Sequence, residues 1–287
     1  MTLFSILINS LPSEGQISFG LFADCQYCDC DARGSRYYRN SLNKLMECIE
    51  TFNRQEDLSF IANVGDLIDR DFAGFDAVNA ILANSKHDVY QVPGNHDYEV
   101  EDGYLEKVPF ELGLTKMYYS LIKNGWMFIF LNGNDISFKS AKPGIISQAQ
   151  ELTDRIKNDG GPNFHKWNGA IGNKQLNWMK RQLKQSEKKK FKVAVFCHYP
   201  VLPVEAHTLW NHAEVLDIIE KFNTVKIWIN GHNHAGGYSQ HKGIHFVTMK
   251  GMVETESENS FAIVKLTGNT AKITGYGREV SRELSIE

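Results

Sequence analysis

The stretch Ile17-Ser18-Phe19-Gly20-Leu21-Phe22-Ala23-Asp24-Cys25-Gln26 is an apolar run of strand length that ends in polar side chains able to bind a metal. Four further apolar runs are each followed by a polar motif. In chain order, these motifs are Gly-Asp, Gly-Asn-His, His-Tyr-Pro and Gly-His-Asn-His. These runs are Phe60–Val64, Val89–Val92, Val193–Cys197 and Val225–Ile229. Short runs rich in β-branched and aromatic residues are typical of buried strands.

Apolar residues with helical spacing lie between these strands. The four amphipathic stripes lie within residues 38–52, 75–82, 176–183 and 215–222. Strands that alternate with helices predict crossover connections and a largely parallel sheet.

The remaining segments predict added antiparallel strands. Two hairpins are expected because turn residues separate paired apolar runs, and one of these turns contains Asn124-Gly125. The hairpins pair 117–121 with 126–131 and 261–266 with 270–276. A further helix is predicted over 145–157, followed by a loop rich in Gly, Pro and Asn.

Length and composition favour one domain. The chain has 287 residues and 7 prolines, with no linker-like tract. We predict a short N-terminal arm over residues 1–16 and a single domain over 17–287. The oligomeric state stays open.

The formal net charge of −3 gives no basic field for a nucleic acid polymer. The apolar stretch Leu3–Ile8 is too short to span a bilayer and lacks the flanks of a signal peptide, so no membrane partner is expected. Cys25, Cys28 and Cys30 cluster, but no second pair at zinc-finger spacing accompanies them. Reduced thiols and a cytoplasmic location are therefore expected.

Seven polar residues follow the apolar runs in a fixed order and form a candidate metal-binding set. They are Asp24, Gln26, Asp66, Asn95, His198, His232 and His234. The set has oxygen and nitrogen donors and no thiolate, which suits Mn²⁺, Fe, Zn²⁺ or Mg²⁺. The ends of parallel strands meet at one edge of a sheet, so the seven side chains are expected to converge.

Such a set is large enough to hold two divalent cations side by side. Two such cations bring four positive charges, and Asp24 and Asp66 bring two negative ones. About two positive charges would therefore remain to attract a phosphate.

Each segment alone has an ordinary alternative, because Gly-Asp and Gly-Asn-His are common in turns. The joint order and placement of the seven residues favour the metal interpretation. Five other histidines are expected to be hydrogen-bonded core residues instead. They are His165, His207, His212, His241 and His245.

With these residues in view, the chain resembles the calcineurin-like metallophosphoesterase superfamily from about Ser18 to about Gly277. The family pattern is Asp-x-His, Gly-Asp, Gly-Asn-His, His and Gly-His-x-His. The resemblance implies an α/β fold in which two β-sheets pack as a sandwich flanked by helices, a four-layer αββα arrangement.

One departure from this pattern points to a subgroup, because Gln26 stands where His is usual. The Mn²⁺-dependent ADP-ribose/CDP-alcohol diphosphatases have Asp-x-Gln at this place. Four further stretches are similar to that subgroup. They are Gly34–Leu42, Asn168-Gly169 with Gln175–Trp178, Gly231–Ser239 and Gly251–Thr255.

Carried over by position, the resemblance implies one metal at Asp24, Gln26, Asp66 and His234. It implies a second metal at Asp66, Asn95, His198 and His232, so that Asp66 bridges the two. The cofactors are then two divalent ions, with Mn²⁺ as the expected metal.

The predicted reaction is hydrolysis of the pyrophosphate of a small nucleoside-diphosphate-linked compound. His96 is the predicted general acid, since it is adjacent to Asn95 and imidazole titrates near neutral pH. Asp97 is considered as the residue that holds the His96 tautomer. Asn95 and Arg70 are candidate substrate contacts, with a surface ion pair to Asp69 or Asp71 as the alternative for Arg70.

Four aromatic residues near these motifs are candidates to stack on a base, with core packing as the alternative. They are Tyr98, Trp167, Tyr199 and Trp210. A cyclic-nucleotide phosphodiesterase or phosphomonoesterase on the same site is the alternative activity. A metal-poor scaffold that binds a protein partner is the alternative from another class, but all ligand positions and His96 are filled.

Overall fold

The computed structural model describes residues 15–287, and these form twelve strands and six α-helices. The strands are β1 (Ile17–Phe22), β2 (Leu58–Asn63), β3 (Val89–Gln91), β4 (Tyr119–Lys123), β5 (Trp126–Phe130), β6 (Lys192–Phe196), β7 (Val225–Asn230), β8 (Ala235–His241), β9 (Ile244–Lys250), β10 (Ser260–Leu266), β11 (Thr270–Gly277) and β12 (Arg282–Ser285). The helices are α1 (Ser41–Asn53), α2 (Gly74–Leu82), α3 (Val108–Glu111), α4 (Pro143–Asn158), α5 (Asn173–Lys189) and α6 (His212–Ile219).

The strands form two six-stranded mixed sheets. The first has the order β12-β11-β10-β1-β2-β3 and the second has the order β4-β5-β6-β7-β9-β8. The predicted hairpins are β4–β5 and β10–β11, and both are antiparallel as expected. The expectation of a largely parallel sheet was only half right, because β1–β2–β3 and β5–β6–β7–β9 are parallel while the flanking strands are antiparallel.

An aromatic core lies between the two sheets. Phe19 and Phe60 of the first sheet stack with ring centroids 5.0 Å apart. Phe128 of the second sheet packs edge-on against Phe60 at 5.0 Å, and Phe196 packs edge-on against Phe19 at 5.7 Å. Because these side chains are fully buried, they join the sheets into a sandwich.

Helices cover both outer faces of the sandwich. Apolar residues of α1 and α2, including Phe52 and Phe75, pack on the first sheet. Apolar residues of α5 and α6, including Met179 and Val215, pack on the second sheet. The result is the predicted four-layer αββα arrangement.

The cysteines differ from the sequence-based expectation. Cys28 and Cys30 are joined in a disulfide with Cα atoms 5.2 Å apart, whereas reduced thiols were expected. A Cα separation of 5.2 Å is within the range of disulfides, and residues two apart in a chain can reach it in a local turn. Cys25, Cys48 and Cys197 are buried free thiols.

The predicted N-terminal arm lies outside the described residues, apart from its last two positions. Among residues 15–287, no helix combines the length and the apolar composition needed to cross a membrane.

Candidate metal centre

The seven predicted ligands lie together where five strands end. Asp24 and Gln26 follow β1, Asp66 follows β2 and Asn95 follows β3. In the second sheet, His198 follows β6, and His232 and His234 follow β7. All seven side chains therefore gather at the carboxyl end of both parallel strand sets.

Contacts among these residues divide them into two groups that share Asp66. In one group, the Gln26 amide nitrogen lies 3.1 Å from both Asp66 Oδ2 and His234 Nε2. Asp24 Oδ1 lies 3.5 Å from His234 Nε2.

In the other group, His198 Nε2 is the central atom. It lies 3.2 Å from each of Asp66 Oδ2, Asn95 Oδ1 and His232 Nδ1. The structure thus brings together the two sets that the resemblance implied.

The backbone at this site is unusually strained. Asp24, Gln26, Asp66 and His232 all have positive φ, between 47° and 70°. Residues with a Cβ rarely adopt this conformation, and such strain is concentrated at functional sites. Gly231 permits the close packing, since a Cβ there would lie 2.6 Å from Asp24 Oδ2.

The hydrogen bonds of the histidines turn one ring nitrogen of each toward the centre of the site. His198 Nδ1 faces the Val64 carbonyl oxygen at 2.9 Å, and His232 Nε2 faces Asn168 Oδ1 at 2.9 Å. These acceptors require a hydrogen on each of those nitrogens, so His198 Nε2 and His232 Nδ1 are the ring nitrogens left to bind a metal. Asp66 Oδ2 and Asn95 Oδ1 join them, and such a convergence of acceptors favours a cation.

A buried amide oxygen gives independent support for this fit. Gln26 Oε1 is a buried polar atom without a hydrogen-bond partner. Buried polar atoms are rarely left unsatisfied unless an ion or a catalytic role explains them. The donor set therefore fits divalent cations bound by oxygen and nitrogen.

Electrostatics favour the metal-binding forms of Asp66 and His232 but not that of His198. Burial would lower the pKa of His198, but the Asp66 carboxylate raises it to about 9, so a cation would have to displace a proton from this imidazole. Burial alone would raise the pKa of Asp66, but the imidazoles of His198 and His96 hold it well below its usual range. Burial and the neighbouring His198 hold the pKa of His232 well below the ordinary value. An ionised carboxylate and a neutral imidazole are the forms that bind metals.

His96 lies beside this centre and is held by two carboxylates. Its Nδ1 is 3.1 Å from Asp69 Oδ1 and 3.4 Å from Glu99 Oε2. Burial would lower the pKa of His96, but Asp66, Asp69 and Glu99 raise it well above the ordinary value. The structure therefore favours a protonated imidazole.

The suggested role of Asp97 in holding His96 is wrong. Asp97 is fully buried and accepts backbone N–H groups from Gly94 at 2.8 Å and from Leu67 at 2.7 Å. It also accepts the N–H groups of Asp66 and Ile68. Its short side chain thus ties two ligand-bearing loops together, and Asp69 and Glu99 take the role near His96.

Asp69, His96 and Glu99 form a second cluster whose composition could suit a metal. Both carboxylates already have cationic partners. Arg70 lies 3.1 Å from Asp69, and Lys139 lies 3.2 Å from Glu99. The cluster is therefore neutralised by side chains and differs from the unsatisfied centre at Asp66.

Arg70 lies away from the cleft that opens onto the metal centre. It pairs with Asp69, and its guanidinium carbon lies 4.5 Å from the centre of the Tyr38 ring. This is the ion-pair alternative considered for Arg70. Arg36 lines the cleft instead, together with Asn95 and His96.

Two further cleft residues are aromatic. Trp167 is 42% exposed, and its ring stacks on His165 with centroids 4.1 Å apart. His207 also lines the cleft, which corrects its expected role as a core residue. Tyr98, Tyr199 and Trp210 are buried packing residues.

Glu254 and Asn168 also contact predicted ligands, although neither was among the predicted site residues. Glu254 Oε1 lies 2.7 Å from His234 Nδ1, and it comes from the loop between β9 and β10. Both residues lie in stretches quoted for the family resemblance. Neither follows an apolar run, so strand-end spacing could not identify them.

The chain is similar to a known family and to several named proteins. The family model described as calcineurin-like phosphoesterase matches residues 17–236. A protein of Arabidopsis thaliana named manganese-dependent ADP-ribose/CDP-alcohol diphosphatase is 32% identical over 96% of this chain and 99% of its own length. A mouse protein of the same name is 27% identical and covers 96% of each chain.

A solved structure, a dimetal phosphatase from Danio rerio, is also similar. It superposes with a TM-score of 0.83 and 26% identity, covering 94% of this chain and 99% of that chain. A 5′-nucleotidase structure from Staphylococcus aureus, at 13% identity and a TM-score of 0.54, shares the fold alone.

Proposed function

Since the chain belongs to the calcineurin-like phosphoesterase family and is a metal-dependent phosphohydrolase, we propose that it cleaves the pyrophosphate of nucleoside-diphosphate-linked compounds. ADP-ribose and CDP-alcohols are the proposed substrates. The products are a nucleoside monophosphate and a phosphorylated remainder. Relatives that carry this name match the chain over nearly their whole length, which supports the choice.

The main observation behind this proposal is that the seven side chains form two groups of metal-binding atoms that share the Asp66 carboxylate. We assign one metal to Asp24, Gln26, Asp66 and His234, and the other to Asp66, Asn95, His198 and His232. The relatives are named manganese-dependent, and Gln26 replaces an imidazole by a hard amide oxygen, so Mn²⁺ is the proposed metal. Fe, Zn²⁺ and Mg²⁺ are the alternatives.

Two bound cations would supply an activated water and stabilise the negative charge on the phosphate oxygens. His96 then donates a proton to the leaving oxygen. Asp69 and Glu99 hold its Nδ1, which leaves Nε2 for the substrate. Asn95 lies beside His96 and lines the same cleft.

Arg36 and Trp167 are the proposed substrate contacts in place of Arg70. The Arg36 guanidinium lies 3.8 Å from Glu254 at the cleft wall and can bind a second phosphate. The exposed Trp167 ring, already stacked on His165, offers a flat surface to a nucleobase.

A scaffold that only binds a protein would not need this arrangement. The ligand positions are all filled, their oxygen and nitrogen atoms converge around Asp66, and Gln26 Oε1 is buried without a hydrogen-bond partner. We further propose one domain over 17–287, because β1 pairs with β10 from the distal part of the chain. The three buried free thiols support the cytoplasm as the proposed location, whereas the Cys28–Cys30 disulfide is typical of an oxidising compartment, and cell fractionation decides between the two.

A substrate panel tests the proposal. Purified protein with Mn²⁺ would be assayed against ADP-ribose, CDP-choline, 2′,3′-cyclic AMP and an aryl phosphate. We expect AMP from ADP-ribose and CMP from CDP-choline, and no turnover in an Asp66→Asn control. Turnover of the aryl phosphate or the cyclic nucleotide alone would instead identify a phosphomonoesterase or a cyclic-nucleotide phosphodiesterase.

A further inference from the structure

Each histidine of the candidate metal centre presents one ring nitrogen to a neighbouring acceptor. His198 uses the Val64 carbonyl oxygen at 2.9 Å, and His234 uses Glu254 at 2.7 Å. In both, Nδ1 is occupied and Nε2 faces the site. His232 is the exception, because its Nε2 is occupied by Asn168 and its Nδ1 faces the site.

The orientation of the Asn168 amide is fixed by its other contacts. Its Nδ2 donates to the carbonyl oxygens of Asn163 at 3.0 Å and Ala206 at 2.7 Å. Both amide hydrogens are therefore used, and Oδ1 must face His232 Nε2 at 2.9 Å. Asn168 is 1% exposed, so water has little access to replace it.

An amide oxygen can only accept, so this contact requires the hydrogen on His232 Nε2. The opposite tautomer would leave two acceptors facing each other in a buried place. It would also point an N–H at His198 Nε2, which lies 3.2 Å from His232 Nδ1. Such a hydrogen would occupy the space that a metal needs.

We propose that Asn168 is a positioning residue that selects the Nε2–H tautomer of His232 and thereby presents Nδ1 as the metal ligand. The proposal rests on the metal assignment made above. Asn168 follows Trp167 in the chain, so the loop that offers an aromatic surface to the substrate also sets a metal ligand.

Histidine tautomers can be read directly by NMR of the full chain with ¹⁵N-labelled histidine. Long-range ¹H–¹⁵N correlations distinguish the two tautomers, and a His232→Gln variant identifies the resonance. In metal-free protein we expect the Nε2–H tautomer in the native sequence and its loss in Asn168→Ala. Asn168→Asp keeps an acceptor oxygen and is expected to keep that tautomer.

Metal affinity gives a second readout that does not depend on turnover. Removing a hydrogen-bond partner of a metal-ligating histidine lowers metal affinity by roughly 10- to 100-fold. We expect a loss of this size for Mn²⁺ in Asn168→Ala, measured by calorimetric titration, at one of the two metal positions.

Asn163→Ala is the matched control. Asn163 donates to Leu209 O at 2.8 Å and anchors the same loop, but its side chain does not contact His232. It should leave the tautomer and the Mn²⁺ affinity unchanged. An equal loss of affinity in Asn163→Ala would assign the effect to loop integrity and overturn the proposal.

Two other outcomes separate this inference from the proposed function. Native affinity and an unchanged tautomer in Asn168→Ala would overturn the inference while leaving the metal site intact. Retention of the Nε2–H tautomer in Asn168→Ala would overturn it even if the native chain binds no Mn²⁺. Absence of Mn²⁺ binding by the native chain contradicts the proposed function instead.

Discussion

Gln26 is the one member of the first group of proposed ligands that departs from the family pattern, which has His at this position. Its amide nitrogen donates to Asp66, while Oε1 is buried without a partner. An amide oxygen is a harder and weaker donor than an imidazole nitrogen. We therefore expect Gln26 to make the proposed metal position more selective for Mn²⁺ and less favourable for Zn²⁺.

Replacing Gln26 by His should loosen the metal requirement. The added imidazole nitrogen binds Zn²⁺ well, so we expect the ratio of Zn²⁺- to Mn²⁺-supported kcat to rise about tenfold, equivalent to about 1.4 kcal/mol. Steady-state assays of metal-stripped protein reloaded with each ion measure that ratio. An unchanged ratio would show that Gln26 does not set the metal preference.

His96 is the residue on which the proposed proton transfer depends. His96→Ala should leave Mn²⁺ binding intact, because the side chain is not among the proposed ligands. The kcat should fall roughly 100-fold or more, in line with the loss of a general acid. Native turnover in this variant, with Mn²⁺ content verified by mass spectrometry, would remove His96 from the mechanism.

At the scale of elements, the site depends on loops that cross at close range. Gly94, after β3, lies so close to Asp66 that a Cβ there would overlap the carboxylate and the backbone nitrogen of Asp66. Asp97 then ties both loops together through four backbone N–H groups. The Gly residue of the Gly-Asn-His sequence is thus a packing requirement for the shared ligand.

Gly94→Ala should therefore displace Asp66 and damage both metal positions at once. We expect at least a tenfold loss of Mn²⁺ affinity and a destabilisation of about 1–3 kcal/mol from overpacking. Calorimetric Mn²⁺ titration and urea unfolding measure the two effects. Gly103→Ala is the control, since a Cβ at Gly103 meets no atom within 4 Å, and it should change neither quantity.

The elements that the sequence predicted well are those with local signals. Periodicity located α1, α2, α5 and α6, and the Asn124-Gly125 turn marked the β4–β5 hairpin, whereas the short helix α3 was not predicted. The seven ligands were predicted because each follows an apolar run. Strand β8 was missed, because Gly236 and Gly237 interrupt its apolar pattern and its residues are mostly exposed.

Long-range contacts had no such local signal. Asp97 looked like a partner for its neighbour His96, but four backbone N–H groups brought in by the fold satisfy it instead. Glu254 and Asn168 reach their histidines from loops far away in the chain. Such partners depend on tertiary packing, which spacing cannot encode.

At the scale of the whole molecule, charge pairs outside the metal ligands contribute to stability in a pH-dependent way. Glu99 faces His96 at 3.4 Å and Lys139 at 3.2 Å. Burial alone would raise the pKa of Glu99, but the hydrogen bonds and charges of His96 and Lys139 lower it to about 2. The folded state therefore favours the ionised carboxylate more than the unfolded chain does.

The sign of the resulting pH dependence follows from linkage. Because the folded pKa is depressed below its ordinary value of 4.5, the stabilisation is present above about pH 5 and is lost as the pH falls toward 2. Glu99→Gln should lower the free energy of unfolding by about 1–3 kcal/mol at pH 5.5 and by about half as much at pH 3, because a carboxyl with a folded pKa of about 2 is still largely ionised at pH 3. Urea unfolding with EDTA at both pH values excludes any contribution from bound metal.

The exposed carboxylate of Glu101 offers a matched control on the same segment. Glu101→Gln should change the unfolding free energy by less than about 0.5 kcal/mol at either pH, as expected for an exposed substitution. A loss in Glu99→Gln that is equal at both pH values would show that Glu99 acts through packing. A loss that is about twice as large at pH 5.5 as at pH 3 would instead show that its charge, held between His96 and Lys139, stabilises the whole fold beside the metal centre.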